Sequence, residues 1–208
     1  VNCLTLDASG GTAQLAVVGD DDEVLHEVTT PTRAGLIETL PVRLRDAVAA
    51  HKVDHVAVVV GPGSFTGLRT SLALAEGYAA AAGLPIIGVT AAAAYAAAFP
   101  GAARPLWVAL RARAGRMFLL RDDLAEALAD VDIPTPRTPI MLAGDAAGEA
   151  AARLAARGAN VVLTDARALR PAWIARAARG QTTAVPLTPV YIDPPEARIS
   201  ANQRPAPV

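Results

Sequence analysis

Val56-Ala57-Val58-Val59-Val60-Gly61-Pro62-Gly63-Ser64-Phe65-Thr66-Gly67 is a run of five apolar residues that breaks at once into a glycine-rich turn. Such an unbroken run, bounded by charge and glycine, is how a strand buried on both faces reads. Residues 68–82 follow, rich in leucine and alanine, with Gly83 and Pro85 as helix stop signals. Strand, glycine turn and helix in succession are the working unit of an α/β fold. Glycines permit positive φ and close approach of backbones. The first amides of the helix have no partner within it, and with the helix dipole they favour an anion. Gly61, Gly63, Ser64 and Thr66 are therefore candidate nucleotide- or anion-binding residues, with Arg69 adding charge. The loop is not a Walker loop, because no Gly-Lys-Ser/Thr follows. The plainer reading is a strand-to-helix turn that only caps the helix.

Working outward, residues 3–6 read as a buried strand that ends at Asp7, and Ala8-Ser9-Gly10-Gly11 is a turn. Residues 12–18 and 23–29 are β-rich, and the polar turn Gly19-Asp20-Asp21-Asp22 separates them. Short turns between three strands predict an antiparallel meander. Asp7, Gly10, Gly11 and Thr12 match in outline the phosphate hairpin of actin-like ATPases; an ordinary hairpin turn is the alternative. Ile37, Leu40, Leu44, Ala47 and Val48 form one apolar stripe of a helix interrupted by Pro41, with Thr39 a candidate cap. Residues 85–89 read as a strand, and Thr90 as the cap of an alanine helix running to about Phe99.

Pro100, Gly101 and Pro105 mark a boundary between residues 1–103 and residues 104–208. The second part predicts strands at 106–110 and 116–120, an extended linker over 134–139 and a strand at 140–143. A helix at 146–157, a strand at 160–163, a helix at 169–179 and a last strand at 190–192 follow, before a proline-rich tail. Both parts place strands before helices, which allows a duplicated architecture.

Composition narrows the function classes. The chain has 208 residues, 52% hydrophobic and 4% aromatic, with net charge -1. That is too apolar for disorder, and one cysteine excludes a disulfide scaffold. Apolar runs fall short of the roughly 18 residues of a membrane span. No signal peptide is visible, so a cytoplasmic location is expected. Alanine accounts for 48 residues and arginine for 18 of the 19 basic ones, so core assignments must rest on the larger side chains. Net charge near zero hides an asymmetry: residues 1–103 hold 5 basic and 10 acidic groups, residues 104–208 hold 14 and 10. Contact with RNA phosphate is one reading of the basic half, and arginines scattered on the surface are the other.

Catalytic candidates are few. His26, His51 and His55 lack partners at metal-ligand spacing, so no metal site is expected. Ser64 lacks a G-x-S-x-G context, Cys3 reads as a small core residue, and Asp20 to Glu23 as a solvated turn.

The stretch Gly61-Pro62-Gly63-Ser64-Phe65-Thr66-Gly67-Leu68-Arg69 resembles the TsaB (YeaZ) family of tRNA threonylcarbamoyladenosine (t6A) biosynthesis. Leu4-Thr5-Leu6-Asp7-Ala8-Ser9, Leu40-Pro41, Leu84-Pro85-Ile86-Ile87-Gly88-Val89, Pro189-Val190-Tyr191-Ile192 and Pro194-Pro195-Glu196-Ala197 agree in order and spacing. The resemblance implies an actin-like (ASKHA, ribonuclease H-like) α/β fold of two lobes, the second reduced. It implies a subunit without catalytic residues of its own. Such a subunit pairs with a TsaD-type transferase, with a TsaE-type ATPase as third component, and acts on tRNA only indirectly. Family members also form homodimers through the same surface. That surface maps to the two helices of the first lobe, hence to Ile37, Leu40, Leu44, Arg69, Leu72, Ala75, Glu76 and Ala79. No cofactor is expected for the chain itself, with ATP a question for the complex. A superfamily phosphotransferase or ATPase using Asp7 and the two glycine loops is the alternative. Where the family carries acids in its Asp-Ala-Arg-x-Gly-Glu stretch, this chain has Arg111 and Arg116.

Overall fold

The computed structural model describes residues 1–32, 35–112, 115–121 and 124–192. The motif at 194–197, the proline-rich tail, and the residues Arg33, Ala34, Arg113 and Ala114 lie outside the described residues.

The first sheet takes β1 (Cys3–Asp7), β2 (Thr12–Val18), β3 (Val24–Pro31), β4 (His55–Gly61) and β5 (Ile86–Thr90) in the order β3-β2-β1-β4-β5. The meander β1-β2-β3 is antiparallel, and β4 and β5 join in parallel. Helices α1 (Leu36–Ala50) and α2 (Phe65–Ala82) supply the crossovers, and α3 (Ala91–Ala96) follows β5. The apolar run is central, with Val56 to Val60 fully buried, as a strand covered on both faces requires. α1 begins at Leu36 with Gly35 at its N-cap in the left-handed region (φ 67°), so Pro41 lies inside the helix and Thr39 is not the cap. Thr90 caps α3 as expected, its hydroxyl accepting from Ala93 N at 3.1 Å; the regular helix stops at Ala96 rather than Phe99.

The second sheet repeats the plan. β6 (Leu106–Arg111), β7 (Arg116–Arg121), β8 (Leu124–Ala129), β9 (Ile140–Ala143) and β10 (Val161–Leu163) run in the order β10-β9-β6-β7-β8. β8 reads Leu-Ala-Glu-Ala-Leu-Ala, the composition of a helix, and it escapes a reading by propensity because cross-strand pairing with β7 decides its state. α4 (Ala147–Ala156) crosses from β9 to β10. The expected strand at 190–192 does not form; Val190 instead makes one backbone bond, N to Val60 O at 2.7 Å.

The last helix, α5 (Pro171–Arg179), lies against the first sheet, touching β1, β2, β4 and β5. The core between the sheets therefore mixes Cys3, Ala16, Val18, Ala57 and Val59 with Val108, Leu120, Ala143, Ile174 and Ala175. Burial raises the Cys3 thiol to about 12, so it stays a neutral core side chain. Asp22, expected in a solvated turn, is instead a clasp. It accepts from Arg176 Nε (2.9 Å) and Nη2 (2.5 Å) and from Arg179 Nη2, and so ties α5 to the β2–β3 turn. No helix among the described residues is long and apolar enough to cross a membrane.

Candidate functional site

The β1–β2 hairpin and the loop after β4 touch backbone to backbone. Ser64 N donates to Ser9 O at 2.7 Å. A Cβ at Gly63 would stand 2.4 Å from Ser9 O, and one at Gly67 only 1.9 Å from Ala8 O. These two glycines exist because any side chain would push the loop off the hairpin. Two amides at this point are accordingly committed: Ser64 N to Ser9 O, and Gly67 N to the capping Ser64 Oγ at 3.3 Å. Ser64 serves α2 itself as its cap, and the backbone carbonyl of Thr66 accepts from Thr70 Oγ1 at 2.9 Å. Gly61 sits at the end of β4 with φ 117° under Val190. Thus the two glycine loops clamp one another, and open space remains on the hairpin side, where no atom lies within 4 Å of a Cβ built at Gly10 or Gly11.

That space is a cleft of about 200 Å³ between the sheets. Asp7, Ser9, Gly10, Gly11, Thr12 and Gly63 line one wall, and Arg111, Asp145 and Arg167 the other. Asp7 is 5% exposed, and burial pushes its carboxyl above the ordinary 3.8 even though Ser9 N donates to Oδ1 at 2.8 Å. Tyr95 is likewise raised, first by burial and then by the charges of Asp145 and Asp7. Across the cleft Arg111 N donates to Asp145 Oδ1 at 2.7 Å, and its Nη2 reaches Glu149 Oε1 at 2.9 Å. Glu149 raises the Arg111 guanidinium further. Arg111 is thus paired within its own half of the chain. Gln14 Oε1 and Arg167 Nη1 are buried without a hydrogen-bond partner among the described residues, and both residues line the cleft. A carboxyl with raised pKa, two hydroxyls and an orphaned guanidinium nitrogen suit a small polar ligand. The volume falls below the roughly 300–1,000 Å³ of most ligand pockets. No cluster of three His, Cys, Asp or Glu suited to a metal exists among the described residues.

The helix pair offers a different kind of surface. Leu40, Leu44, Leu72, Ala75 and Ala79 are 0–5% exposed and pack on the first sheet. They are core residues and not partner contacts, a correction with a simple cause: the apolar stripe of an amphipathic helix faces its own sheet first. Ile37, at 63% exposed, and the exposed Arg69 and Glu76 remain on the surface. Sequence reasoning missed Phe65, 37% exposed, Val42, 45% exposed, and Tyr191. Tyr191 OH accepts from Arg69 Nε at 2.9 Å, and the Arg69 guanidinium lies 3.8 Å from the Phe65 ring centre. Burial periodicity of the two helices would have found the first two; the contact across 122 residues leaves no local signal.

Several arginines of the second half are engaged with the protein among the described residues. Arg121 pairs with Glu126, Arg153 with Asp130, and Arg176 and Arg179 with Asp22, while Arg157 donates to Ile133 O and Val131 O.

Residues 43–162, more than half of the chain, match the family model described as TsaD, tRNA N6-adenosine threonylcarbamoyltransferase. No curated protein matches the sequence. Among solved structures, YeaZ from Pseudomonas aeruginosa is 23% identical, with 91% of this chain and 99% of that chain covered at a TM-score of 0.66. An uncharacterized protein with similarity to peptidase YEAZ from Pseudomonas aeruginosa is 23% identical over 92% and 99%, at 0.65. A ROK family transcriptional regulator, a homolog of the E. coli MLC protein, is 12% identical over 85% and 76%, at 0.50. The YeaZ likeness spans the whole fold, and with the two repeated sheets it gives an actin-like α/β architecture, as the opening motifs led one to expect.

Proposed function

We propose, from the premise that the chain belongs to the TsaD (tRNA N6-adenosine threonylcarbamoyltransferase) family, that it serves t6A synthesis as a non-catalytic subunit that pairs with and activates a TsaD-type transferase. The observation that carries this reading is the surface of α1 and α2. Their buried stripes are used up on the sheet, yet Ile37 and Val42 of α1 and Phe65 of α2 still face solvent. Exposed apolar side chains, with Arg69 ordered on Phe65 beside them on α2, are what a protein partner desolvates. The fold of YeaZ over its full length supports the same role. In this reading a TsaE-type ATPase joins the pair, any ATP acts at the level of the complex, and tRNA meets the partner first.

The test is reconstitution. The purified chain mixed with the TsaD-type protein of its genome should elute as one complex and raise t6A formation on tRNA, while alone it transfers nothing. Ile37→Asp should abolish the complex with the melting temperature unchanged. Two separate peaks for the wild-type proteins sink the proposal.

Asp7 and the hairpin glycines in the cleft favour a second reading, nucleotide hydrolysis or phosphoryl transfer by the chain itself. Calorimetry with ATP and magnesium decides it, and absence of heat at millimolar nucleotide removes it.

A further inference from the structure

The walls of the cleft between the sheets carry two acids, Asp7 and Asp145, and two bases, Arg111 and Arg167. Arg111 and Asp145 are already engaged: the Arg111 amide donates to Asp145, and its guanidinium reaches Glu149. Asp7 and Arg167 are left to the cleft. Asp7 stands directly opposite Gln14 in the β1–β2 pairing, so the two side chains share a face, about 5 Å apart at Cβ. Cys3 and Ala16 share that face too, and it is the one turned to the second half of the chain. Arg167 comes from that second half. Its segment is held by Gly144 N to Ala166 O at 2.7 Å and by Tyr95 OH to Arg167 O at 3.5 Å. Gln14 and Arg167 both line this cleft and the adjoining cavity against Trp173, so they meet at the junction of the two.

Gln14 Oε1 and Arg167 Nη1 are each buried without a hydrogen-bond partner among the described residues. An acceptor and a donor left in that state are costly, and a ligand that takes both relieves the cost. The guanidinium asks for an anion. The amide oxygen, with the Asp7 carboxyl beside it, asks for a cationic donor. A molecule that carries both charges and no net charge matches a lining of two acids and two bases. A bare polyphosphate does not, because it sets several negative charges against Asp7 and Asp145. Ala91, Leu110 and Leu169 add apolar wall, and the volume of about 200 Å³ leaves room for a short side chain.

We infer that the cleft binds a free α-amino acid with a short side chain, its carboxylate on Arg167 and its ammonium group between Gln14 Oε1 and Asp7. Asp7 and Gln14 belong to the first sheet, and Arg167 to the segment between β10 and α5, so the ligand joins the two halves of the chain. The inference does not depend on the α1–α2 surface, and it gives the cleft an occupant other than a nucleotide.

Calorimetric titration and thermal melts of the full chain with glycine, L-alanine, L-serine and L-valine test it. At least one should bind and raise the melting temperature as its concentration grows. For the one that binds best, the methyl ester lacks the anion and the N-acetyl derivative lacks the cation. Each should bind at least about tenfold more weakly, the worth of one charge-assisted hydrogen bond. R167M and Q14L should each weaken the free amino acid by at least about tenfold for the same reason. The loss on esterification should vanish in the R167M background. Without ligand, both variants should melt no lower than wild type, since each removes an unpaired buried polar atom. A lower melt would mean that Gln14 and Arg167 pair with each other, which overturns the inference. Neither heat nor a melting shift from any of the four amino acids at high millimolar concentration overturns it as well, and so does an ester that binds as tightly as the free acid. Binding of ATP with magnesium in place of all four overturns it in favour of the nucleotide reading. The TsaD-type partner is assayed separately. Complex formation without amino-acid binding overturns this inference and leaves the proposed function standing; amino-acid binding without complex formation supports this inference and counts against that function.

Discussion

The two sheets share one strand order and differ in what covers them. Between β3 and β4 runs the 15-residue helix α1; between β8 and β9, the same place in the second plan, runs a 3-10 turn at Asp130–Asp132 and an extended stretch. Pro134, Pro136 and Pro139 explain the difference, since each lacks the amide that a helix interior needs. Ile133, 1% exposed, plugs the second core where a helix would otherwise lie, and Arg157 ties down the carbonyls of Ile133 and Val131 at 2.5 Å each. Strand order is thus the part of the architecture that tolerates no loss, while a crossover helix can be replaced by one apolar plug and one arginine.

The likeness of the lobes can be broken at their glycines. Gly67 abuts Ala8 O, and Gly144 abuts Ala109 O, where a Cβ would sit 2.1 Å away. Gly67→Ala and Gly144→Ala should each cost about 3 kcal/mol in urea denaturation. The gain in helix propensity at Gly67, about 1 kcal/mol, cannot offset the overlap. Gly144 has φ 102° and lies outside any helix, so its variant should be the worse of the two. Equal losses would mean that the positive φ of Gly144 adds nothing to the overlap.

A smaller effect is expected where the lobes are joined. Asp22→Ala leaves Arg176 and Arg179 without their carboxylate and should cost about 2 kcal/mol, allowing for the solvent that reaches Arg176. Burial alone would raise the Asp22 carboxyl, but the hydrogen bonds and charges of Arg176 and Arg179 outweigh it and hold the group below 3.8. Its folded pKa is therefore the lower one, and the clasp contributes above the ordinary carboxylate range and fades as pH falls through the depressed value. Thermal melts of wild type and Asp22→Ala should converge in acid; parallel curves would deny the clasp.

The smallest effect belongs to the cleft, and its sign is opposite. Asp7 titrates above 3.8 because burial disfavours its charge. A raised carboxyl favours the fold below the unfolded pKa and loses that contribution as pH rises through the folded one. Asp7→Asn should match wild type in acid and melt higher near neutral pH. No difference at any pH would mean that the carboxyl is compensated within the cleft.

Much of the first lobe was legible because its signals are local. The run Val56 to Val60, the turn after Asp7 and the cap Thr90 each declare themselves within a few residues. β8 did not, because its Leu-Ala-Glu-Ala-Leu-Ala becomes a strand only through pairing with β7. The clasp at Asp22 and the Arg69–Tyr191 contact join residues more than 120 positions apart, and no periodicity reports them. The hairpin and loop glycines were legible as special, but which backbone Gly63 and Gly67 approach, that of Ser9 and Ala8 more than fifty residues away, was not. On the helices, apolar spacing marked the stripe that faces the sheet, so a reading that took the stripe for an interface named mostly core residues.

The placement of α5 has a consequence for how the protein is made. Cys3, Ala16, Val18, Ala57 and Val59 form the face of the first sheet that α5 covers, and α5 comes last among the regular elements. During translation this face waits while residues 91–179 are added, a delay on the order of ten seconds at ordinary elongation rates. The nascent first lobe therefore emerges with one side still open, and the ribosome releases a chain whose earliest strands are the last to be fully enclosed.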